Sequence, residues 1–188
     1  MYSFVWDDFC NYYLEFTKPY VYSDNQETRA NACAILKDVY LNILKLLHPI
    51  IPFITENIYS NFTNEFLINQ SYASSLGKFE TECEDVEKII LLIQKIRETR
   101  LSYNVVPSKK IALVVDKNNV ANNSLKIIES AKLVLSKMTN IERVAVVENI
   151  NSDCIKFVTE LGEFYFYKNE VVDTEKEKEK INKDIEKI

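Results

Sequence analysis

IQKIRETRLSYNVVPSKKIALVV, residues Ile93 to Val115, contains the change on which the fold reading turns. Upstream of it and into it, Val86, Ile89, Ile90, Ile93 and Ile96 recur at three- and four-residue spacing, the period of one helix face. Pro107 interrupts that pattern, and Ile111 to Val115 is an unbroken apolar run of strand length. A helix that hands over to a strand across a short loop predicts an α+β protein. The helix spans about Glu82 to Ser102, and Thr81-Glu82-Cys83-Glu84 before it has capping-box spacing.

Downstream, Ser124 to Met138 reads as an amphipathic helix. Ile141 to Val147, Cys154 to Thr159 and Glu163 to Tyr167 read as strands, with Gly162 supplying the turn between the last two. Residues 107–170 therefore form a small α+β module. From about Asp173 the chain alternates Glu and Lys, with Ile181, Ile185 and Ile188 at heptad-like positions. We read 171–188 as the start of a C-terminal coiled-coil helix, a plain solvated helix being the alternative.

Working upstream, residues 1–106 read as a helical domain. Tyr2, Val5, Trp6, Phe9, Tyr13 and Phe16 mark an apolar helix face ending at Lys18-Pro19, and Trp6, Phe9 and Tyr13 are assigned to the core. No capping sequence precedes Met1, so this helix is expected to continue from upstream packing partners. A second helix covers roughly Glu27 to Leu47, with a stripe from Ala32 to Leu47. His48-Pro49 breaks it, and Pro52 suits the first turn of a third. Residues 63–80 read as a long loop.

Composition narrows the chemistry. Two glycines and four prolines in 188 residues favour long helices over a sandwich or barrel, and two glycines cannot build a phosphate-cradling loop. The net charge of −5 argues against a surface that wraps nucleic acid everywhere, while leaving room for a local basic patch. Cys10, Cys33, Cys83 and Cys154 form no CxxC pair, and with a single histidine they predict neither a structural zinc site nor disulfides, in line with a reduced, cytoplasmic protein. No run approaches a membrane span, and the acid-flanked aromatics after Met1 give no expectation of a signal peptide. His48, between Leu47 and Pro49, reads as a structural histidine. No nucleophile–base arrangement is visible, so no catalytic residue and no metal ligand are assigned.

The informative side chains lie at the end of the fourth helix. At 100° per residue, Arg97 and Arg100 fall beside the apolar stripe, whereas Lys95 faces the opposite side. Asn104, Lys109 and Lys110 follow on the loop held by Pro107. Two readings stay open: a compact basic patch that holds phosphates, or arginines paired with buried carboxylates. The chain also carries eleven Tyr and ten Phe, and unpaired bases stack on aromatic rings, but most of these residues lie on core stripes.

Three segments together resemble the valyl-tRNA synthetase family: FVWDDFCNYYLEFTKP (Phe4 to Pro19), LLHPIIPFITENIY (Leu46 to Tyr59) and IQKIRETRLSYNVVPSKKIALVV (Ile93 to Val115). VVDTEKEKEKI (Val171 to Ile181) is similar to the start of that family's C-terminal coiled coil. Asn11 stands where the family usually has Asp, and Tyr12 where it has Trp. The resemblance implies a mostly helical anticodon-binding bundle followed by the α+β module. Its partners would be a valine-specific tRNA and the catalytic and editing domains of the same parent chain, which lie upstream in the family. It implies no cofactor in this region, and ATP and magnesium for the parent enzyme. Arg97 and Arg100 become the first candidates for phosphate contacts, with Asn104, Lys109 and Lys110 behind them. Isoleucyl- or leucyl-tRNA synthetase, or a helical protein-interaction module, are the alternatives.

Overall fold

The structure is a computed structural model, and it describes residues 1–73, 77, 79–148, 150 and 153–171. The proposed coiled-coil start beyond Val171 lies outside the described residues. The chain divides into two compact units, Met1–Lys78 and Phe79–Ile188.

The first unit is helical. A π-helical stretch, Phe4–Tyr13, runs into helix α1, Leu14–Val21, and the Leu14 N–H donates five residues back to the Phe9 carbonyl. The helix does not stop before Pro19. That residue sits inside α1, and the chain leaves helical geometry at Tyr22. Wider π turns also displace the stripe read at 3.6 residues per turn. Phe9 is buried as expected, but Tyr13 is only half-buried and Trp6 is 57% exposed.

Helix α2, Gln26–Leu47, starts at Asn25, whose side chain accepts the Thr28 N–H at 3.1 Å in a regular N-cap. Helix α3, Pro52–Tyr59, begins with proline in its first turn, where a missing N–H costs nothing. Leu44, Tyr59 and Leu67 form the buried cluster, with Tyr40, Leu41 and Ile58 packed against it. The Phe9 ring stacks on Tyr13 and Tyr40. Leu67 opens a short 3-10 turn within the loop read at 63–80. At the α2–α3 corner, the buried Thr55 hydroxyl is 3.0 Å from the Ile51 carbonyl, to which it donates, and 2.8 Å from His48 Nδ1. The imidazole and the hydroxyl are hydrogen-bonded to each other, so His48 is a satisfied structural histidine.

The second unit is α+β. Helix α4, Glu80–Ser102, starts two residues earlier than its capping box suggested and has no side-chain cap at Phe79. It is followed by β1, Ile111–Asp116, then α5, Asn122–Ser130, and α6, Lys132–Thr139. The sequence suggested one helix over α5 and α6; Ala131, at φ −88° and ψ 0°, breaks it in two. Strands β2, Ile141–Val147, β3, Cys154–Thr159, and β4, Gly162–Tyr167, precede a last turn of helix, α7, Lys168–Val171.

The strands form one mixed sheet in the order β2-β1-β4-β3. β1 and β2 are parallel, which requires the helical crossover that α5 and α6 provide, while β4 runs antiparallel to both β1 and β3. β1 is the central strand by burial, with Ile111 to Val115 all buried. Phe157 and Phe164 stack at 5.7 Å between ring centres, and Phe164 and Phe166 are fully buried. Leu92, Ile93 and Ile96 of α4 are fully buried too, and α4 packs on β3, α5 and α6. The sequence boundary at 106/107 marks the change from helix to strand; by packing, α4 sits in the same unit as the sheet.

Candidate nucleic-acid interface

The C-terminus of α4 is closed by a Schellman motif. Tyr103 caps the helix, and Asn104 follows in the left-handed region at φ 53°. The Asn104 N–H donates to the Leu101 carbonyl at 3.0 Å and the Val105 N–H to the Arg100 carbonyl at 2.9 Å, the two bonds that define this ending. Val105, the residue after the left-handed position, is buried, as the hydrophobic contact of the motif requires. Asn104 is thus where the backbone needs it, since asparagine tolerates this conformation better than any residue except glycine. Asn104→Gly is expected to leave stability within a few tenths of a kcal/mol, whereas Asn104→Val should lose about 1–2 kcal/mol. Urea denaturation of the pair checks this. If the glycine variant fell as far as the valine one, the role of Asn104 would lie in its side chain.

Beyond the cap, Arg100 organises the loop. It is 6% exposed, and its Nη2 donates to the carbonyls of Val106 at 3.0 Å, Pro107 at 3.2 Å and Lys109 at 2.7 Å. Burial lowers the guanidinium's pKa from its ordinary value, but arginine starts so high that the group stays cationic. Nη2 has two N–H groups, so the three carbonyls share them, and bonds from a charged donor, worth about 1.5–3 kcal/mol each, offset part of the cost of burying the cation. Nη1 is buried with no hydrogen-bond partner among the described residues. Neither sequence reading of Arg100 foresaw this arrangement, in which it grips backbone carbonyls. Carbonyls carry no sequence signal.

Arg97, one turn earlier, is exposed, and its Nη2 donates to the Met138 carbonyl at the end of α6, at 3.0 Å. The two arginines line a cleft of about 370 Å³ together with Leu101, Val105, Met138 and Asn140. Asn140, a second left-handed residue at φ 53°, donates from Nδ2 to the Pro107 carbonyl at 2.7 Å and so ties the loop to the end of α6. Lys109 and Lys110 are exposed on the final turn before β1 and form no ion pair among the described residues. Of the five residues suggested by sequence, Arg97 and Arg100 meet at the cleft. Asn104, Lys109 and Lys110 lie on the loop that Arg100 grips. The residues that sequence reading missed are Met138 and Asn140; Asn140, just after an apolar helix pattern, carried a helix-ending signal that pointed to its place.

Elsewhere the surface suits phosphates less well. A depression of about 500 Å³ beside α3 includes Glu56, Glu65 and the exposed rings of Phe53 and Phe66. On β3 and β4, Lys156 pairs with Glu163, and the Tyr165 hydroxyl donates to the same carboxylate at 2.7 Å. The Lys156 bond, aided by that of Tyr165, holds the Glu163 carboxyl below its usual range. These groups satisfy one another. Phe166 belongs to the core. All four cysteines are free, and burial pushes the Cys154 thiol up, helped by neighbouring Asp153. Among the described residues no group of His, Cys, Asp or Glu could hold a metal ion, and no helix is long and apolar enough to cross a membrane.

Comparison with known proteins matches residues 1–115 to the family described as the anticodon-binding domain of tRNA ligase. A valine–tRNA ligase of Clostridium tetani is 31% identical over 189 residues, covering 97% of this chain and 21% of the relative. One from Clostridium perfringens is 29% identical over 196 residues, with 100% of this chain and 22% of the relative covered. One from Streptococcus pyogenes is 38% identical over 117 residues, with 61% and 13% covered. The chain spans about a fifth of the length of the first two relatives. The matched region contains α4, the whole 103–110 loop and β1 up to Val115.

Proposed function

The chain belongs to the anticodon-binding domain family of tRNA ligases, and from that premise we propose that it holds the anticodon stem-loop of a valine tRNA. The parent protein, on this reading, is a cytoplasmic ligase that joins valine to its tRNA with ATP and magnesium on catalytic and editing domains outside this chain. The relatives named valine–tRNA ligase support valine over its sister amino acids. The contribution of the region is positioning. Contacts made far from the reacting atoms orient the acceptor end, so binding energy is used to place the substrate.

The observation that carries the reading is the adjacent Lys109 and Lys110, exposed and in no ion pair among the described residues, on a loop braced from within, with Arg97 exposed one helix turn before Arg100. Braced cations hold phosphates at a lower ordering cost than cations on a mobile loop. Exposed Ile50, Phe53 and Ile54 around α3 favour the second reading, a surface that docks protein. Salt separates the two, because phosphate contacts weaken steeply as salt rises and apolar docking does not.

The test is fluorescence-anisotropy binding of labelled valine tRNA at two salt concentrations. The wild-type chain is expected to bind weakly, given its net charge of −5, and to lose affinity as salt increases. Arg97→Gln/Lys109→Gln/Lys110→Gln should flatten the salt slope by about 2.1–2.7, at roughly 0.7–0.9 per phosphate contact removed. A triple variant that kept the wild-type slope would remove this loop from the RNA interface.

A further inference from the structure

We propose that Arg100 is a positioning residue for RNA binding: from the interior it sets the 103–110 turn so that Lys109 and Lys110 are presented together, and it touches no phosphate itself. The inference rests on the proposed function above and concerns how that interface is built.

Residue 100 is bonded to the turn at both ends of its own structure. Its carbonyl accepts the Val105 N–H, fixing where the chain leaves α4, and its guanidinium donates to Val106, Pro107 and Lys109, fixing where the chain arrives at the lysines. Between those points the Lys109 N–H donates to the Val106 carbonyl at 2.9 Å, and Asn140 holds the Pro107 carbonyl from outside. The Lys109 carbonyl bond, at 2.7 Å, is the shortest of the three from the guanidinium, so the clamp acts most closely on the first of the two cations.

The same geometry keeps Arg100 from the RNA. At 6% exposure, with Nη1 enclosed and Nη2 committed to carbonyls, the guanidinium is largely withdrawn from solvent. Reaching a phosphate would require it to leave the interior and give up all three acceptors at once; Val106 and Pro107 would keep the Lys109 N–H and Asn140 as donors, whereas the Lys109 carbonyl would lose the donor that fixes it. Arg97, by contrast, has one bond to a carbonyl and an exposed side chain, so its remaining donors can turn to a ligand.

The experiment is a double-mutant cycle read as tRNA affinity at two salt concentrations, using wild type, Arg100→Met, Lys109→Gln/Lys110→Gln, and the combination. The lysine variant should lose affinity on the order of tenfold and flatten the salt slope by about 1.5. Arg100→Met is expected to reproduce much of that loss, and the combined variant to be no weaker and no flatter than the lysine variant alone. A further drop in slope of about 0.7–0.9 in the combination would show Arg100 meeting a phosphate directly and overturn the proposal. Arg100→Lys is read should the methionine variant fail to fold. A phosphate contact would survive that change with the slope intact, whereas a lost clamp lowers both affinity and slope. Millimolar methylguanidinium, matched for ionic strength, should restore binding to Arg100→Ala but not when both lysines are also replaced. Rescue that ignored the lysines would also overturn the proposal. If the lysine variant instead binds like wild type, the proposed interface itself fails, and this inference with it.

Discussion

Gly162→Ala is expected to destabilise the sheet-bearing unit by about 3 kcal/mol and lower its melting temperature by roughly 10–20 °C. Gly162 opens β4 at φ +134°, a region that residues with a side chain rarely adopt. It pairs with Thr159 across a two-residue hairpin, and Leu161 inside that turn is buried, so the backbone cannot swing out to relax. A Cβ placed there would lie 2.5 Å from Val120 Cγ2 and 3.2 Å from the Asn119 carbonyl oxygen. Valine is stiff at χ1, and Val120 is itself buried, so this neighbour cannot simply rotate away. The backbone penalty is about 1–3 kcal/mol and the overpacking penalty of similar size, against a typical domain stability of only about 5–15 kcal/mol. Thermal melts followed by far-UV circular dichroism measure the sum. The two parts separate in a Val120→Ala background, where Gly162→Ala should cost about 1 kcal/mol less because the closest contact, with Cγ2, is gone while the dihedral strain remains. A shift of less than a few degrees for the single variant would mean the hairpin adopts another turn.

The fold was legible where residue type and period agree. β2 and β3 begin and end where the sequence reading put them, and α2 starts one residue from its expected position because Asn25 is a strong cap. It was less legible where tertiary packing overrides a local signal. Pro19 predicts a helix end, yet α1 runs through it to Val21. The apolar run Ser124 to Met138 looks like one helix until Ala131 breaks it, and nothing in alanine announces a break. The π-helical register of Phe4–Tyr13 changes which residues share a face, so a stripe read at the α period misplaced Trp6. The candidate interface shows the same division. Lys109 and Lys110 are exposed as their charge implies, and Asn104 followed by apolar Val105 has the composition of a helix C-terminus. Arg100 is where sequence reading ran out. Its place beside the apolar stripe was clear, but its acceptors are main-chain carbonyls up to nine residues away, and only the folded loop brings them there.

Ile93→Ala is the second large effect, and it asks which part of the chain α4 belongs to. Leu92, Ile93 and Ile96 are all 0% exposed, and the helix packs on β3, α5 and α6. Truncating a fully buried isoleucine loses its transfer free energy and leaves a cavity, about 2–5 kcal/mol. We expect the urea midpoint to fall by a corresponding amount and amide exchange to accelerate in β3, on which the helix packs, and in β4, which pairs with it. Exchange is the deciding readout, since it reports each strand separately. If the strands kept their protection while α4 lost its own, the helix would be an appendage of the sheet, and the boundary would return to 106/107, where helix becomes strand. If they lose protection together, α4 and the sheet are one cooperative body. The loop at 103–110 then joins two elements of a single rigid core, braced by Arg100 on one side and Asn140 on the other. Such a frame can hold two lysines in fixed register to a phosphate backbone, and a free-standing helix end could not.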